Sequence, residues 1–303
     1  MYLGELAALA AAALWAGASI LFANLGAKKI SPQVLNLFKC ALALVLLWMT
    51  MGLMEHSWLP HPDSDSALIA LAISGVIGLT LGDTAYFHAL NRLGPRRTLI
   101  FATLSPPTTA VMAYAFLDEP LTKTMILGII VTLAGVIWVI KERQPEASTT
   151  SPKDSDNHLE KIGIFFALVA IACQATGNIL TKYGSQGLAP LETSVTRLAF
   201  GVVALVVWVI VGKESRKFTE LFTQRGHLKT LTLATIIGTY LGIWLMVAGL
   251  QYTSNTGVAA TLSSMSPVFI LPLSALFLKE HVSIRAITGA VLALTGVAIL
   301  IMA

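Results

Sequence analysis

The most constraining feature of this chain is an internal repeat that spans almost all of its 303 residues. When the first half is shifted by 158 to 161 positions, its rarest residue types fall on matching residues of the second half. The matches are Pro32 with Pro190, Lys39 with Arg197, Gly78 with Gly238, Gly82 with Gly242, Pro107 with Pro267, Glu119 with Glu280, Gly128 with Gly289 and Gly135 with Gly296. A repeated set of apolar helices with one cation inside a span of each copy is typical of transporters built from two related halves.

The composition predicts an integral membrane protein. Hydrophobic residues make up 55% of the chain and charged residues 12%, whereas a soluble domain carries about 25% charged residues. The net charge of +4 lies mostly in short loops, so it does not indicate a nucleic-acid partner. Cys40 and Cys173 lie inside apolar segments without a second Cys or a His at metal-ligand spacing, so we expect no disulfide, metal or other cofactor. The first apolar run lacks a basic leading region and is predicted to be a retained helix rather than a cleaved signal.

Ten segments are apolar and long enough to cross a bilayer, which takes roughly 20 residues. They are predicted at 3–24, 33–54, 67–90, 97–117, 122–140, 161–182, 190–211, 229–250, 256–277 and 283–302. The sequence therefore predicts an all-α protein of the inner (plasma) membrane, with one five-helix repeat in residues 1–140 and another in 160–303. Residues 141–159 are polar and charged and read as a solvated linker. Because five is odd, the second repeat should enter the membrane from the opposite side, which gives an inverted repeat.

Two cations lie inside predicted spans at matching positions. Lys39 follows Pro32 by seven residues, and Arg197 follows Pro190 by seven. A charge near the bilayer centre costs about 2.5–3.5 kcal/mol on insertion scales, so such residues usually face a cavity or a partner. The two side chains either line a cavity and bind a carboxylate or another anion, or they pair with acids or helix carbonyls for structure.

Asp83 is the one acid deep inside a predicted span, and Ile243 occupies the matching position of the second repeat. Three roles are open for this carboxylate: a proton-coupling group, a partner for Lys39, or a contact for an amine of the substrate. A structural salt bridge at a helix end is the alternative. His88, five residues further on, is either an assistant in proton transfer or a solvated residue near the membrane surface.

Further polar and aromatic residues are candidates for the wall of a cavity. Uncharged polar groups inside a membrane either line a wet cavity or hydrogen-bond between helices, and aromatics near span ends also serve as interfacial anchors. Gln174 and Asn178 are four residues apart and share one helical face. The candidates for contact with a substrate, besides the two cations, are Trp15, Ser19, Gln174, Asn178, Tyr86, Trp244 and Ser263.

Glycines and prolines at matching positions predict packing and bending. Gly78 with Gly82, and Gly238 with Gly242, have the spacing that lets two membrane helices approach closely. The glycines of the fifth segments, two turns apart in each, indicate packing or a dimer contact; they are Gly128, Gly135, Gly289 and Gly296. Proline removes a backbone donor and bends a membrane helix, so the prolines of the fourth and ninth segments are candidate hinges or gates. These prolines are Pro106, Pro107 and Pro267.

The chain resembles the EamA family of the drug/metabolite transporter superfamily. The resemblance rests on the Pro and Lys or Arg of the second helix in each half, the Pro of the fourth helix, and a Glu in the loop before a Gly-rich fifth helix. It implies a ten-helix carrier with a central cavity, in which Lys39 and Arg197 occupy the basic positions of the family. Family members move amino acids, other small metabolites or drugs, often outward and with proton coupling or exchange.

The function expected from residues and resemblance together is secondary transport of small polar metabolites by alternating access. A passive pore without coupling is the alternative, although no filter-like segment is visible. No nucleophile elbow, zinc-protease motif or phosphate-binding loop appears, so we expect no enzyme activity. A homodimer is a further possible assembly. The basic loops place both termini outside by the positive-inside rule, whereas the family resemblance implies cytoplasmic termini, and the orientation stays open.

Overall fold

The computed structural model describes residues 2–26, 31–56, 58–62, 64–142, 156–223, 225–273 and 283–302, and every regular element within them is a helix. The first repeat contains α1 Leu3–Gly26, α2 Pro32–Met54, α3 Asp65–Ser74, the π-helix π1 Gly75–Gly82, α4 Asp83–Ala102, α5 Ser105–Phe116 and α6 Lys123–Glu142. The second contains α7 Asp156–Gly184, α8 Pro190–Val211, α9 Ser215–Thr223, α10 Arg225–Ala234, π2 Thr235–Leu241, α11 Gly242–Tyr252, α12 Thr256–Ser263, α13 Ser266–Leu273 and α14 Ile284–Ile301. Most of the predicted linker 141–159 lies outside the described residues.

The helices confirm a multi-pass membrane protein. Eight described helices are long and apolar enough to cross a bilayer, and Lys123–Val139 is a shorter apolar helix. The predicted total of ten spans stays a prediction. Large apolar side chains remain exposed along these helices, among them Leu53, Val111 and Val207. In a membrane such side chains contact lipid rather than water.

Both third spans contain a π-helical segment at the same place in the repeat. The segments π1 and π2 begin 160 residues apart, and each joins two α-helical parts into one continuous helix. A π segment inserts an extra residue into the helical ladder and is frequent at functional sites. The sequence did not predict it.

The candidate hinge prolines of the fourth and ninth predicted spans lie just after a break in the helix rather than inside a continuous helix. The predicted span 97–117 is interrupted at residues 103–104, and the predicted span 256–277 at residues 264–265. Pro106 is the second residue of α5, and Pro267 is the second residue of α13. Proline is tolerated in a first helical turn because the N–H that it lacks would have no intrahelical partner there.

The two repeats pack against each other reciprocally. Helix α1 of the first repeat packs on α11 of the second, and α7 of the second repeat packs on π1 and α4 of the first. The second helices α2 and α8 contact each other, and so do α5 with α12 and α6 with α14. This exchange places the second and third helices of both repeats at the centre of the bundle.

Small residues make these contacts possible. A Cβ atom on Gly242 would lie 2.5 Å from Trp15 Nε1, and one on Gly82 would lie 3.1 Å from Cys173 Cβ. Between the fifth helices, a Cβ atom on Gly135 would overlap the backbone nitrogen of Ala293. The fifth-helix glycines therefore allow close packing of α6 on α14 within one chain.

We expect Gly135→Ala to destabilise the protein, because the new methyl group would meet backbone that cannot move aside. Overpacking of a tight contact costs about 1–3 kcal/mol. Gly17→Ala is the matched control, since a Cβ atom there meets nothing within 4 Å and alanine favours a helix. Thermal unfolding in detergent should show a lower Tm for Gly135→Ala and an unchanged or higher Tm for Gly17→Ala. Equal values for the two variants would contradict the packing between α6 and α14.

Candidate functional site

An ion pair joins the second and third helices of the first repeat. Lys39 of α2 donates to the Asp83 carboxylate at the start of α4, with 2.5 Å between Nζ and Oδ2. The two side chains are 11% and 23% exposed. The ammonium also lies over the Phe87 ring, 5.4 Å from its centroid. Of the three roles that the sequence left open for Asp83, the structure shows the pairing with Lys39.

The matching cation of the second repeat is more deeply buried. Arg197 of α8 is 1% exposed, and its Nε donates to Ser74 Oγ over 2.8 Å. Ser74 in turn contacts the Gly177 carbonyl and the Thr181 hydroxyl of α7. The guanidinium nitrogen Nη1 is buried and has no hydrogen-bond partner. A buried polar group without a partner costs about 1–3 kcal/mol, and more if it is charged.

The carboxylate of Asp83 interacts with both cations, Lys39 and Arg197. The Asp83 carboxylate interacts electrostatically with Arg197 in addition to its hydrogen bond with Lys39. We call Lys39, Asp83 and Arg197 the charge cluster. Its members come from α2, α4 and α8, so the cluster spans the contact between the two repeats.

Side chains from neighbouring helices donate to carbonyl groups inside both π segments. Trp15 of α1 donates from Nε1 to the Gly238 carbonyl in π2 over 2.7 Å. Asn36 of α2 donates to the Leu79 carbonyl in π1 over 2.8 Å and contacts the Thr84 hydroxyl at 3.1 Å. These bonds hold each irregular segment against another helix.

The other predicted site residues make the following contacts. The Tyr86 hydroxyl is near enough to interact electrostatically with Asp83 and Lys39. Trp244 packs on Tyr240, with ring centroids 6.4 Å apart. Gln174 donates to Asn178 on its own helix, and Ser19 donates to the carbonyl of Ala16 on its own helix.

The predicted hinge prolines lie beside the two helix breaks, and Gly78 lies beside the charge cluster. Pro106 is buried, whereas Pro107, Pro267 and Ser263 are half-buried beside the two breaks. Gly78 lies against the Arg197 guanidinium and against Gly177 of α7, and a Cβ atom on Gly78 would lie 3.5 Å from Arg197 Nη2. An alanine at Gly78 would therefore make ordinary van der Waals contact with the guanidinium and with Gly177.

A chain of polar residues links the two repeats at the end of the bundle where α2 begins. Ser31 Oγ lies 2.6 Å from Glu214 Oε2 and 2.8 Å from Gln33 Oε1. Gln33 Nε2 lies 3.0 Å from His88 Nε2, and Arg92 Nη1 lies 3.1 Å from His88 Nδ1. The His88 ring stacks on Phe166 of α7, 4.9 Å between centroids. Glu214 belongs to the second repeat, so its bond with Ser31 crosses between the repeats.

Donor and acceptor rules fix the orientation of this chain. Arginine only donates, so His88 Nδ1 accepts and a neutral ring carries its proton on Nε2. The Nε2–H group of His88 then needs an acceptor. A 180° turn of the Gln33 amide exchanges its oxygen and nitrogen, which are nearly indistinguishable in shape, and places the oxygen beside His88 Nε2 as that acceptor. The turned amide donates to Ser31 Oγ, and the single Ser31 hydroxyl proton goes to Glu214. All four hydrogen bonds then run in one direction, from the Arg92 cation to the Glu214 anion.

Glu214 lies outside the membrane-spanning helices, and its pKa reflects this contact. Burial, the largest single influence, raises the pKa of its carboxyl group, but hydrogen bonds from Ser31 and Lys217 and the charge of Lys217 lower it below its ordinary value. A lowered folded-state pKa means that the ionised group stabilises the fold above its unfolded pKa of about 4.3. This contribution is lost as the pH falls through the folded-state value.

We expect Ser31→Ala to lower thermal stability at pH 7 and to lose this effect on acidification. The variant removes a hydrogen bond to the ionised Glu214, and a protonated Glu214 no longer depends on that bond. Thermal unfolding between pH 7 and about pH 2, which extends below the lowered folded-state pKa of Glu214, measures the difference, with the exposed Ser66→Ala as control. A difference between Ser31→Ala and wild type that stays constant over this range would show that the contact with Glu214 does not contribute.

The opposite end of the bundle is held by two ionic groups, the half-buried Lys182 and the buried Glu119. Lys182 Nζ donates to the carbonyls of Leu250, Gln251 and Thr253, at 2.6, 3.2 and 2.7 Å, where α11 ends. A cation is favourable at a helix C-terminus because of the helix dipole. Glu119 accepts from the Thr256 backbone N–H and hydroxyl at 2.5 and 2.6 Å, where α12 begins. Glu119 comes from the first repeat and Thr256 from the second, so this contact also crosses between the repeats.

The comparisons with known proteins agree with this arrangement. The model of the EamA-like transporter family matches residues 2–141 and 161–302. The chain belongs to that family. Its two matches cover the two repeats, and the fold is therefore the two-repeat fold of EamA-like transporters.

Relatives of known sequence and structure support the family assignment. The chain is 25% identical over 302 residues to an uncharacterized transporter of Archaeoglobus fulgidus, which covers 98% of this chain and 97% of that protein. It is 23% identical over 244 residues to the uncharacterized transporter YyaM of Bacillus subtilis, which covers 76% of this chain and 72% of that protein. A solved crystal structure superposes with a TM-score of 0.74 at 14% identity over 99% of this chain and 97% of its own, which shows the same fold.

Proposed function

We propose that this EamA-family chain is a secondary transporter that exports small polar metabolites bearing a carboxylate, such as amino acids or related compounds. The observation that carries the proposal is the charge cluster, in which two cations share one acid at the contact between the repeats and Arg197 Nη1 has no partner. Such a site attracts an anionic group. The proposal is transport by alternating access, without a catalytic step.

Substrate and proton act on the same ion pair in this mechanism. While Asp83 is ionised, its carboxylate pairs with the Lys39 ammonium, which is then unavailable to a substrate carboxylate. Protonation of Asp83 frees Lys39, so a proton and an anionic group bind together. The occupied cluster then favours closure of the end through which the substrate entered, and rocking of one repeat against the other opens the opposite end.

The sign of proton coupling follows from this shared binding. If proton and substrate travel together, an inward proton gradient favours uptake of the substrate. Export therefore proceeds down the gradient of the substrate itself. An opposing inward proton gradient should slow export, and its collapse should speed export.

We expect the purified protein in proteoliposomes to show saturable flux and counterflow. The substrate is first identified by comparing medium and cytosol of cells with and without the protein, and it is then used as the labelled probe. Lys39→Met should reduce flux by about tenfold or more, since one hydrogen bond to a charged group contributes about 1.5–3 kcal/mol. Lys182→Met is the matched control, because it removes a half-buried ammonium that donates to carbonyls at the end of α11. A linear flux without counterflow would indicate a pore instead.

A further inference from the structure

A groove of about 580 Å³ lies between α9 and the beginning of the third span of the second repeat. Six residues line it, and none of them belongs to the charge cluster: Phe222, Leu228, Lys229, Thr232, Leu233 and Ile236. Phe222 and Leu233 are 50% and 48% exposed, so the apolar wall is open. The groove lies at the start of the apolar segment Leu228–Tyr252, which is long enough to cross a bilayer. It therefore opens towards lipid near the membrane surface.

Helix α9 has the pattern of a helix that lies in the membrane surface. Its apolar residues Phe218, Leu221 and Phe222 share one face, whereas Arg216 and Lys217 are exposed. The apolar face packs on residues of α2. The basic residues of α9 therefore lie at the level of the lipid headgroups.

The chain around the groove is basic. Residues 212–229 contain five Lys or Arg and two Glu, which gives a net charge of +3. Both acids form ion pairs with a lysine or an arginine of α9. Lys229 lines the groove and is exposed, and within the part of the chain that the structure describes no acid pairs with its ammonium. The groove therefore attracts a negatively charged group.

The matching segment of the first repeat has the opposite charge. Residues 52–69, which lie 160 positions earlier, contain three acids and neither Lys nor Arg, and Ile69 occupies the position of Lys229. This acidic segment follows the end of α2, whereas α9 lies beside the beginning of α2, where Glu214 contacts Ser31. The basic groove therefore belongs to one end of the bundle, and its charge favours anionic lipid in the leaflet at that end.

We propose that this groove binds an anionic phospholipid, with an acyl chain along the apolar wall and the phosphate group beside the Lys229 ammonium. The wall alone would accept a chain of any lipid, and Lys229 supplies the preference for a negative headgroup. The bound chain also supports α9 on α2, because the centroid of the Phe222 ring lies 6.0 Å from that of Phe38, the neighbour of Lys39. The groove is separate from the charge cluster, so this lipid site does not depend on the function proposed above.

The test is native mass spectrometry of the delipidated full-length protein, titrated with phosphatidylglycerol or with phosphatidylcholine of the same acyl chains. The first phosphatidylglycerol should bind more tightly by about fivefold, which is the contribution of one lysine at a membrane surface. Lys229→Gln should remove this preference. Lys161→Gln, which removes an exposed ammonium near the beginning of α7 at the same end of the bundle, should keep it. Leu233→Trp, which fills the apolar wall, should weaken the binding of both lipids.

Other occupants of the groove give different results. Glycerophosphoglycerol, the headgroup without acyl chains, should not displace the lipid, and displacement would overturn the proposal in favour of a site for free phosphate compounds. Equal affinity of the wild type for the two lipids, or equal effects of Lys161→Gln and Lys229→Gln, would overturn it as well. Leu233→Cys in a background with Cys40→Ala and Cys173→Ala tests a second copy of this chain. A disulfide between copies in bilayers would show that the second copy, and not lipid, covers the groove.

Discussion

Arg197→Met is expected to reduce transport by at least tenfold while leaving the protein as stable as the wild type or more stable. The guanidinium is 1% exposed and its Nη1 has no partner, so in the empty transporter it is a cost to stability rather than a gain. Replacement of a buried charged group by an apolar side chain of similar volume is often neutral or stabilising. The same cation stabilises a bound anion, and its loss removes a charged hydrogen bond of about 1.5–3 kcal/mol. Counterflow and thermal unfolding of the same purified variant measure the two effects.

Lys182→Met distinguishes a functional cation from a structural one. Its ammonium donates to three carbonyls at the end of α11, so its removal leaves buried acceptors unpaired. We expect this variant to unfold at a lower temperature, whereas the fraction that remains folded should transport normally. If Arg197→Met loses stability as Lys182→Met does and keeps its transport rate per folded molecule, Arg197 is structural and the assignment of the charge cluster to substrate binding is wrong.

Asp83→Asn is expected to destabilise the protein and to remove the response of transport to a pH gradient. Removal of one partner from a buried ion pair costs about 3–5 kcal/mol, and the partial exposure of Lys39 and Asp83 places the expected value at or below the lower end. Asparagine cannot release a proton, so binding of the substrate would no longer be linked to pH. Thermal unfolding and flux under imposed pH gradients of either direction test the two statements.

The double variant Lys39→Met with Asp83→Asn separates the loss of stability from the loss of coupling. It removes both charges of the pair, so it should recover much of the stability that Asp83→Asn loses. Its transport should be slower than that of Asp83→Asn, because the cation that receives the substrate carboxylate is absent. Flux in Asp83→Asn that still responds to the pH gradient would exclude Asp83 from the coupling role.

The architecture was predictable because its centre contains charged residues, which the apolar interior of a membrane rarely tolerates. A charged side chain inside an apolar span costs free energy, so it is expected to face the interior of the protein rather than lipid. Lys39 and Arg197 lie at matching positions and therefore indicated both the internal repeat and the residues at the centre of the protein. The pairing of Lys39 with Asp83 was one of several open roles, because sequence spacing alone does not state which helices meet. Packing of α2 on the third span decided it.

The contacts at the two ends of the bundle were not predictable in the same way. Ser31 with Glu214, and Glu119 with Thr256, are 183 and 137 residues apart in sequence. Polar residues near span ends are common, and only the tertiary fold shows which of them meet. For Glu119, the match with Glu280 in the repeat was a usable signal, although Glu280 lies outside the described residues. The π segments also have no clear sequence pattern, since glycine and threonine occur in many membrane helices.

The most direct test of the charge cluster as the transport site is chemical restoration of the charge at position 39. Lys39→Cys is made in a background with Cys40→Ala and Cys173→Ala, and membrane-impermeant methanethiosulfonates are applied from either side of the membrane. We expect that the substrate slows labelling, that position 39 is reached from both sides during turnover, and that an aminoethyl adduct restores transport whereas a sulfonatoethyl adduct does not. Labelling that ignores the substrate and is confined to one side, or recovery of transport with the anionic adduct, would contradict it.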